Sequence, residues 1–129
     1  MISKEVIGRE SEALTIHVEE AAVRIFAEAI GLPYDGEVPP TFVYTFRGGS
    51  VPGLNLPEKG LIHAGQKFIY YRPVKVGDVI TYKRRVTDVF ERLGKLGKMT
   101  FMVLEMEGRN STGELIFTTT STLIAREED

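Results

Sequence analysis

From Leu61 onward the apolar residues of this chain alternate with polar ones, and that period of two constrains the fold more than any other feature. Four β runs follow from it, at about 61–72, 78–91, 97–108 and 114–125. Gly94-Lys95-Leu96-Gly97 and Asn110-Ser111-Thr112-Gly113 separate the last three runs, and both are hairpin signals. Between the first two runs lies Pro73-Val74-Lys75-Val76-Gly77-Asp78. Pro73 has no N–H to give to a ladder, and Gly77-Asp78 can reverse the chain. This reads as a tight turn joining 66–72 to 78–90, with the later runs extending that pair into a meander. The third run is apolar on both sides, with Met99, Phe101 and Val103 opposite Met102, Leu104 and Met106. Such a sheet is covered on both faces. A helix is expected on one, and a partner subunit on the other.

Upstream, Leu14, Ile16 and Val18 share one side of a short strand. Residues 19–30 follow as a helix whose stripe is Ala22, Val23, Phe26, Ala27 and Ile30. Gly31 and Pro33 stop it. Residues 1–13 read as an ordered lead-in. Thr41 to Phe46 has strand propensity, yet Pro39-Pro40 before it and Gly48-Gly49 after it equally bracket a short helix. Helical material first and antiparallel strands afterwards is an α+β pattern. The economical arrangement is one domain over residues 1–129, a curved sheet wrapped around one apolar helix.

Several classes of function fall away on composition. The formal charge of −2 gives no electrostatic case for nucleic acid or an anionic membrane. Without cysteine there are no disulfides, thiolate nucleophiles or cysteine-ligated zinc, which fits a reducing cytoplasm. Neither a signal peptide nor a membrane span is expected.

Particular stretches resemble a known family. Val23 to Gly31 is similar to the first helix of the MaoC-like hydratase/dehydratases, which have the hot-dog fold. Pro39-Pro40-Thr41-Phe42 resembles the start of their central helix, which favours the helical reading of 41–46. His63-Ala64-Gly65-Gln66-Lys67-Phe68, followed by Tyr71-Arg72-Pro73 and Gly77-Asp78, is similar to a segment of their N-terminal-type domain. Gly97 to Phe101 and Thr118 to Arg126 complete the likeness.

The resemblance implies a lyase of fatty acid metabolism that reversibly hydrates enoyl thioesters to 3-hydroxyacyl thioesters, as an enoyl-CoA hydratase does. The carrier is coenzyme A or acyl carrier protein. The acyl chain is expected in a tunnel beside the central helix, at a dimer interface, with no metal or organic cofactor. Phe42, Tyr44, His63, Gln66 and Arg72 are the candidate substrate-binding residues.

One expected feature is missing. Active members carry an Asp and a His in the loop after the first helix. Here that loop is Leu32-Pro33-Tyr34-Asp35-Gly36-Glu37-Val38, and the only histidines are His17 and His63. No Asp has a His five positions on. A positioned acid or base contributes on the order of 10²–10⁴-fold, so the loss is severe. The chain is therefore expected to bind and shape the acyl site, as a homodimer or beside a catalytic hot-dog subunit. A non-enzymatic acyl-thioester binding or assembly module is the alternative. A third option gives His63 catalysis with a carboxylate such as Glu58.

Each candidate has a plainer reading. His63 suits acid/base work, but a histidine at a strand start also binds backbone. Asp35 before Gly36 is a turn residue. Arg72 could hold a carrier phosphate or simply form an ion pair. Lys83-Arg84-Arg85 could meet phosphates, but neighbouring residues on a strand point to opposite faces. The three Met and the Phe42, Tyr44 and Phe46 group suit a core as well as a tunnel wall.

Overall fold

The computed structural model describes residues 3–46, 50–56, 60–95 and 97–126. Five strands form one antiparallel sheet: β1 (Leu14–His17), β2 (Leu61–Tyr70), β3 (Val79–Gly94), β4 (Gly97–Arg109) and β5 (Leu115–Arg126). Their order is β1-β3-β4-β5-β2. With helical material on one face, this is an α+β hot-dog fold.

The β3-β4-β5 meander forms where the turn residues place it. Gly94 pairs with Gly97 at the first hairpin. At the second, the Asn110 side-chain oxygen accepts from the backbone N–H of Thr112 and Glu114, at 3.1 and 2.9 Å.

The pairing of the first two runs is different from that expected. β2 lies at the far edge against β5, separated from β3 by two strands. Residues 71–78 are a crossover rather than a hairpin turn. Val74 is buried and Val76 packs against the core. Backbone bonds tie this crossover outward, from Tyr71 N–H to the Ile116 carbonyl and from Gly77 N–H to the Val18 carbonyl, both 2.8 Å. Burying those two valines against the core outweighs what a local reversal offers.

The helix α1 spans Glu20–Ala29. It stops at Gly31, whose φ of 82° is the left-handed conformation that glycine adopts without strain. The Gly31 and Leu32 N–H groups return to the carbonyls of Glu28 and Ala27. Val23 and Ala27 are buried and Phe26 is partly so, but Ala22 and Ile30 stay exposed, a narrower stripe than the spacing predicts.

Pro40–Thr45 is helical, not a strand, but it is a 3-10 helix of six residues rather than a long central α-helix. Phe42, Val43 and the following Phe46 enter the sheet's inner face beside Ile80, Tyr82, Met106 and Phe117. A second cluster gathers Val6, Val51, Val86, Val89, Met102 and Ala125. The lead-in supplies Val6 through a 3-10 turn, Lys4–Val6, and bonds along β3 through Gly8, Arg9 and Ser11.

The outer face carries an apolar row across four strands in register, Phe90, Phe101, Ile124 and Ile62. The first two rings stack with centroids 4.9 Å apart.

Candidate functional site

A cavity of about 220 Å³ lies between the two clusters on the inner face. Strand register builds its floor. Arg84 stands level with Met106 and Thr119, Val86 with Leu104, Ser121 and Gln66, and Val89 with Met102, Leu123 and His63. Val43, Tyr44 and Phe46 of the 3-10 helix and its C-cap close the other side.

Within one strand, residues three apart point to opposite faces. His63 and Gln66 nevertheless share the cavity, because a register shift between His63 and Gly65 leaves Ala64 unpaired. The His63 Nε2 is 3.0 Å from the Gln66 Oε1. Ser121 Oγ donates to the same oxygen at 2.6 Å. With the amide oxygen as the acceptor, Nε2 is the ring nitrogen that would donate. The Tyr44 ring sits 5.9 Å from the imidazole, centroid to centroid.

Tyr44, His63 and Gln66 thus converge on one cavity. Phe42 is 4% exposed, edge-to-face with Phe26 and Phe46, and is part of the core. Arg72 lies elsewhere. It is ion-paired with Glu114 and lines a separate, mostly apolar groove of about 420 Å³ with Val38, Pro39, Tyr70 and Val74. There Tyr70 donates its hydroxyl to the Pro40 carbonyl, and burial pushes its phenol up to about 12. Val43 borders both spaces.

Asp35 accepts from the Glu37 N–H at 3.0 Å, as a turn residue does, and His17 sits exposed on β1. Glu58 lies outside the described residues. Among the described residues no cluster of His, Cys, Asp or Glu could hold a metal ion. No helix among them is long and apolar enough to cross a membrane.

Arg84, Thr119 and Ser121 were not foreseen as cavity residues. The signal for Arg84 was present, since it alternates with Tyr82 and Val86, two core positions. Its neighbours turn the other way: Lys83 pairs with Glu10 at 2.8 Å and Arg85 with Glu105 at 3.7 Å. The Lys83 ammonium, by hydrogen bond and charge, lowers the Glu10 carboxyl below its usual value.

A family model described as "FAS1-like, dehydratase domain region" matches residues 5–119. The chain belongs to that family. This FAS1-like dehydratase-region chain is 34% identical over 125 residues to a UPF0336 protein of Streptomyces griseus, covering 81% of each. In fold, the FAS1-like chain is similar to the HadBC (3R-hydroxyacyl-ACP dehydratase) complex of Mycobacterium tuberculosis. That match has a TM-score of 0.74 and 21% identity, over 97% of this chain and 100% of the other. It is also similar to the ChsH1-ChsH2 complex of the same organism, with a TM-score of 0.73 and 13% identity over 93% and 85%. The fold and the MaoC-like family expected from the sequence both stand.

Proposed function

We propose that this chain is a single-domain, cytoplasmic subunit of an enoyl/3-hydroxyacyl thioester hydratase-dehydratase, which binds the acyl group but needs a catalytic partner. One observation carries the reading. The cavity's imidazole is hydrogen-bonded to an amide, Gln66, and the link after α1 supplies no histidine to stand beside Asp35. Water activation calls for a base, and α-carbon protonation for an acid. An imidazole held by an amide, with no carboxylate beside it among the described residues, offers one group for two tasks.

Two features support a partner subunit. β2 is an edge strand with exposed Leu61, Ile62 and Ile69 along it, and long apolar edges are usually covered. Both structural relatives named above are complexes. The outer apolar row is a second surface that a partner could shield.

The test is hydration of crotonyl-CoA by the chain alone and together with a hot-dog partner bearing the acid–imidazole pair. Background rates alone and turnover in the mixture are expected. Turnover by the lone chain that collapses in His63→Ala would show instead a self-sufficient enzyme. Saturable acyl-CoA binding with no turnover in any mixture would leave a binding or assembly module.

A further inference from the structure

Arg84 holds a position that the fold reserves for apolar side chains. Along β3 it lies between Tyr82, 5% exposed, and Val86, fully buried, on the inner face. Its flanking cations have carboxylate partners on the outer face. Arg84 has none among the described residues. One terminal nitrogen donates to the Phe46 carbonyl at 2.9 Å, while Nε is buried without an acceptor. Arg84 is partly exposed where it borders the cavity, so its charge has one neutral carbonyl as a partner and donors still to offer, and the buried Nε left unmet is costly.

The space beside it is polar in the right sense. Arg84 lines the cavity with His63, Gln66, Thr119 and Ser121. Glu105 also borders the cavity, but its carboxylate is engaged by Arg85. Hydrocarbon alone would leave this polar floor unsatisfied. An empty apolar cavity of about 150 Å³ takes benzene with its six heavy atoms, so 220 Å³ suits a group of roughly eight or nine, which is five carbons together with the oxygens of a terminal carboxylate and a carbonyl.

We propose that the Arg84 cavity recognises a short acyl group ending in a carboxylate, with the Arg84 guanidinium as its counter-ion. The inference rests on the thioester reading for the carrier, and on the cavity alone for the anion. Planar guanidinium and carboxylate match as a fork, which a lysine cannot reproduce.

The experiment is calorimetric titration of the full chain with glutaryl-CoA, pentanoyl-CoA and free glutarate, repeated in Arg84→Met and Arg84→Lys, with thermal melts of each variant. Glutaryl-CoA is expected to bind about ten-fold or more tightly than pentanoyl-CoA. Arg84→Met should erase that preference while leaving pentanoyl-CoA binding in place, and Arg84→Lys should keep part of it. Equal or tighter binding of pentanoyl-CoA to the unaltered chain overturns the proposal and leaves the thioester reading intact. Arg84-dependent binding of glutarate without binding of either thioester keeps the anion site and removes the thioester reading. Loss of both thioesters alike in Arg84→Met, with a lowered melt that Arg84→Lys restores, makes Arg84 a clasp on Phe46 and overturns the proposal. Binding of none of the three ligands overturns both.

Discussion

His63 and Ser121 share one acceptor, the Gln66 side-chain oxygen, at 3.0 and 2.6 Å across two strands. With the amide oxygen accepting from both, the arrangement favours a proton on Nε2 of the cavity's imidazole and ties the ring to β5 through Ser121. Gln66→Leu should therefore release the Nε2–H preference. Long-range ¹⁵N correlation spectra of the imidazole check this: an Nε2–H tautomer is expected in the parent protein and a mixture in the variant. A parent spectrum dominated by Nδ1–H would mean that Gln66 does not accept from His63.

Gly108 is required by the ring that lies over it. A Cβ there would come within 2.2 Å of Phe117, which is fully buried and packed against Phe46 and Tyr70. With those neighbours in place the ring has little room to yield. Gly108→Ala should cost about 1–3 kcal/mol by overpacking, read as a lower urea midpoint. Adding Phe117→Leu should recover part of the loss; a double variant no better than the sum of the two would refute the clash.

Phe46 joins three parts of the inner face. Its ring meets Phe42, Tyr82 and Phe117, and its carbonyl receives Arg84. Phe46→Ala should lose about 3–5 kcal/mol in chemical denaturation, the range for deleting a buried aromatic. Tyr44→Ala, on the 3-10 helix that Phe46 caps but 54% exposed, should lose less than about 1 kcal/mol.

The Tyr70 phenol gives a pH dependence with a definite sign. Burial raises it from 10.0 to about 12, so the folded chain holds a proton that the unfolded chain has released in that window. Stability from this group is full below pH 10 and falls as pH rises towards 12. Tyr70→Phe should flatten that part of the profile, as measured by melts of both proteins from pH 9 to 12. The two profiles running parallel would show that the phenol is not shielded.

Local chemistry was legible in the sequence, and long-range choice was not. Asn110 to Gly113 announced the β4-β5 hairpin, and Gly31 announced the end of α1, because each acts through its own backbone. Period-two patterning marked β2 as a strand but does not name its neighbour. A pairing of β2 with β5 closes some fifty residues, and it goes with packing of Val74 and Val76 from the crossover on the core, which no local signal announces. Likewise the bracket around 41–46 left strand and helix open, the resemblance favoured the helix, and neither announced its 3-10 winding. Tyr44, His63 and Gln66 stood among five candidates offered by the resemblance, and these three border one cavity while Phe42 and Arg72 do not. Arg84 was hidden inside a basic triplet whose outer members are ordinary surface ion pairs.

The unpaired Ala64 has a consequence for how such a chain can change over time. It resets which side of β2 faces inward, so the imidazole and Gln66 enter the same cavity across one supernumerary residue that shifts the phase of the strand. Losing the single codon at position 64 would leave His63 and Gln66 two apart on a regular strand, both still opposite Leu123 and Ser121 on the cavity side. A descendant could thus straighten this strand and still keep its ring nitrogen at the site.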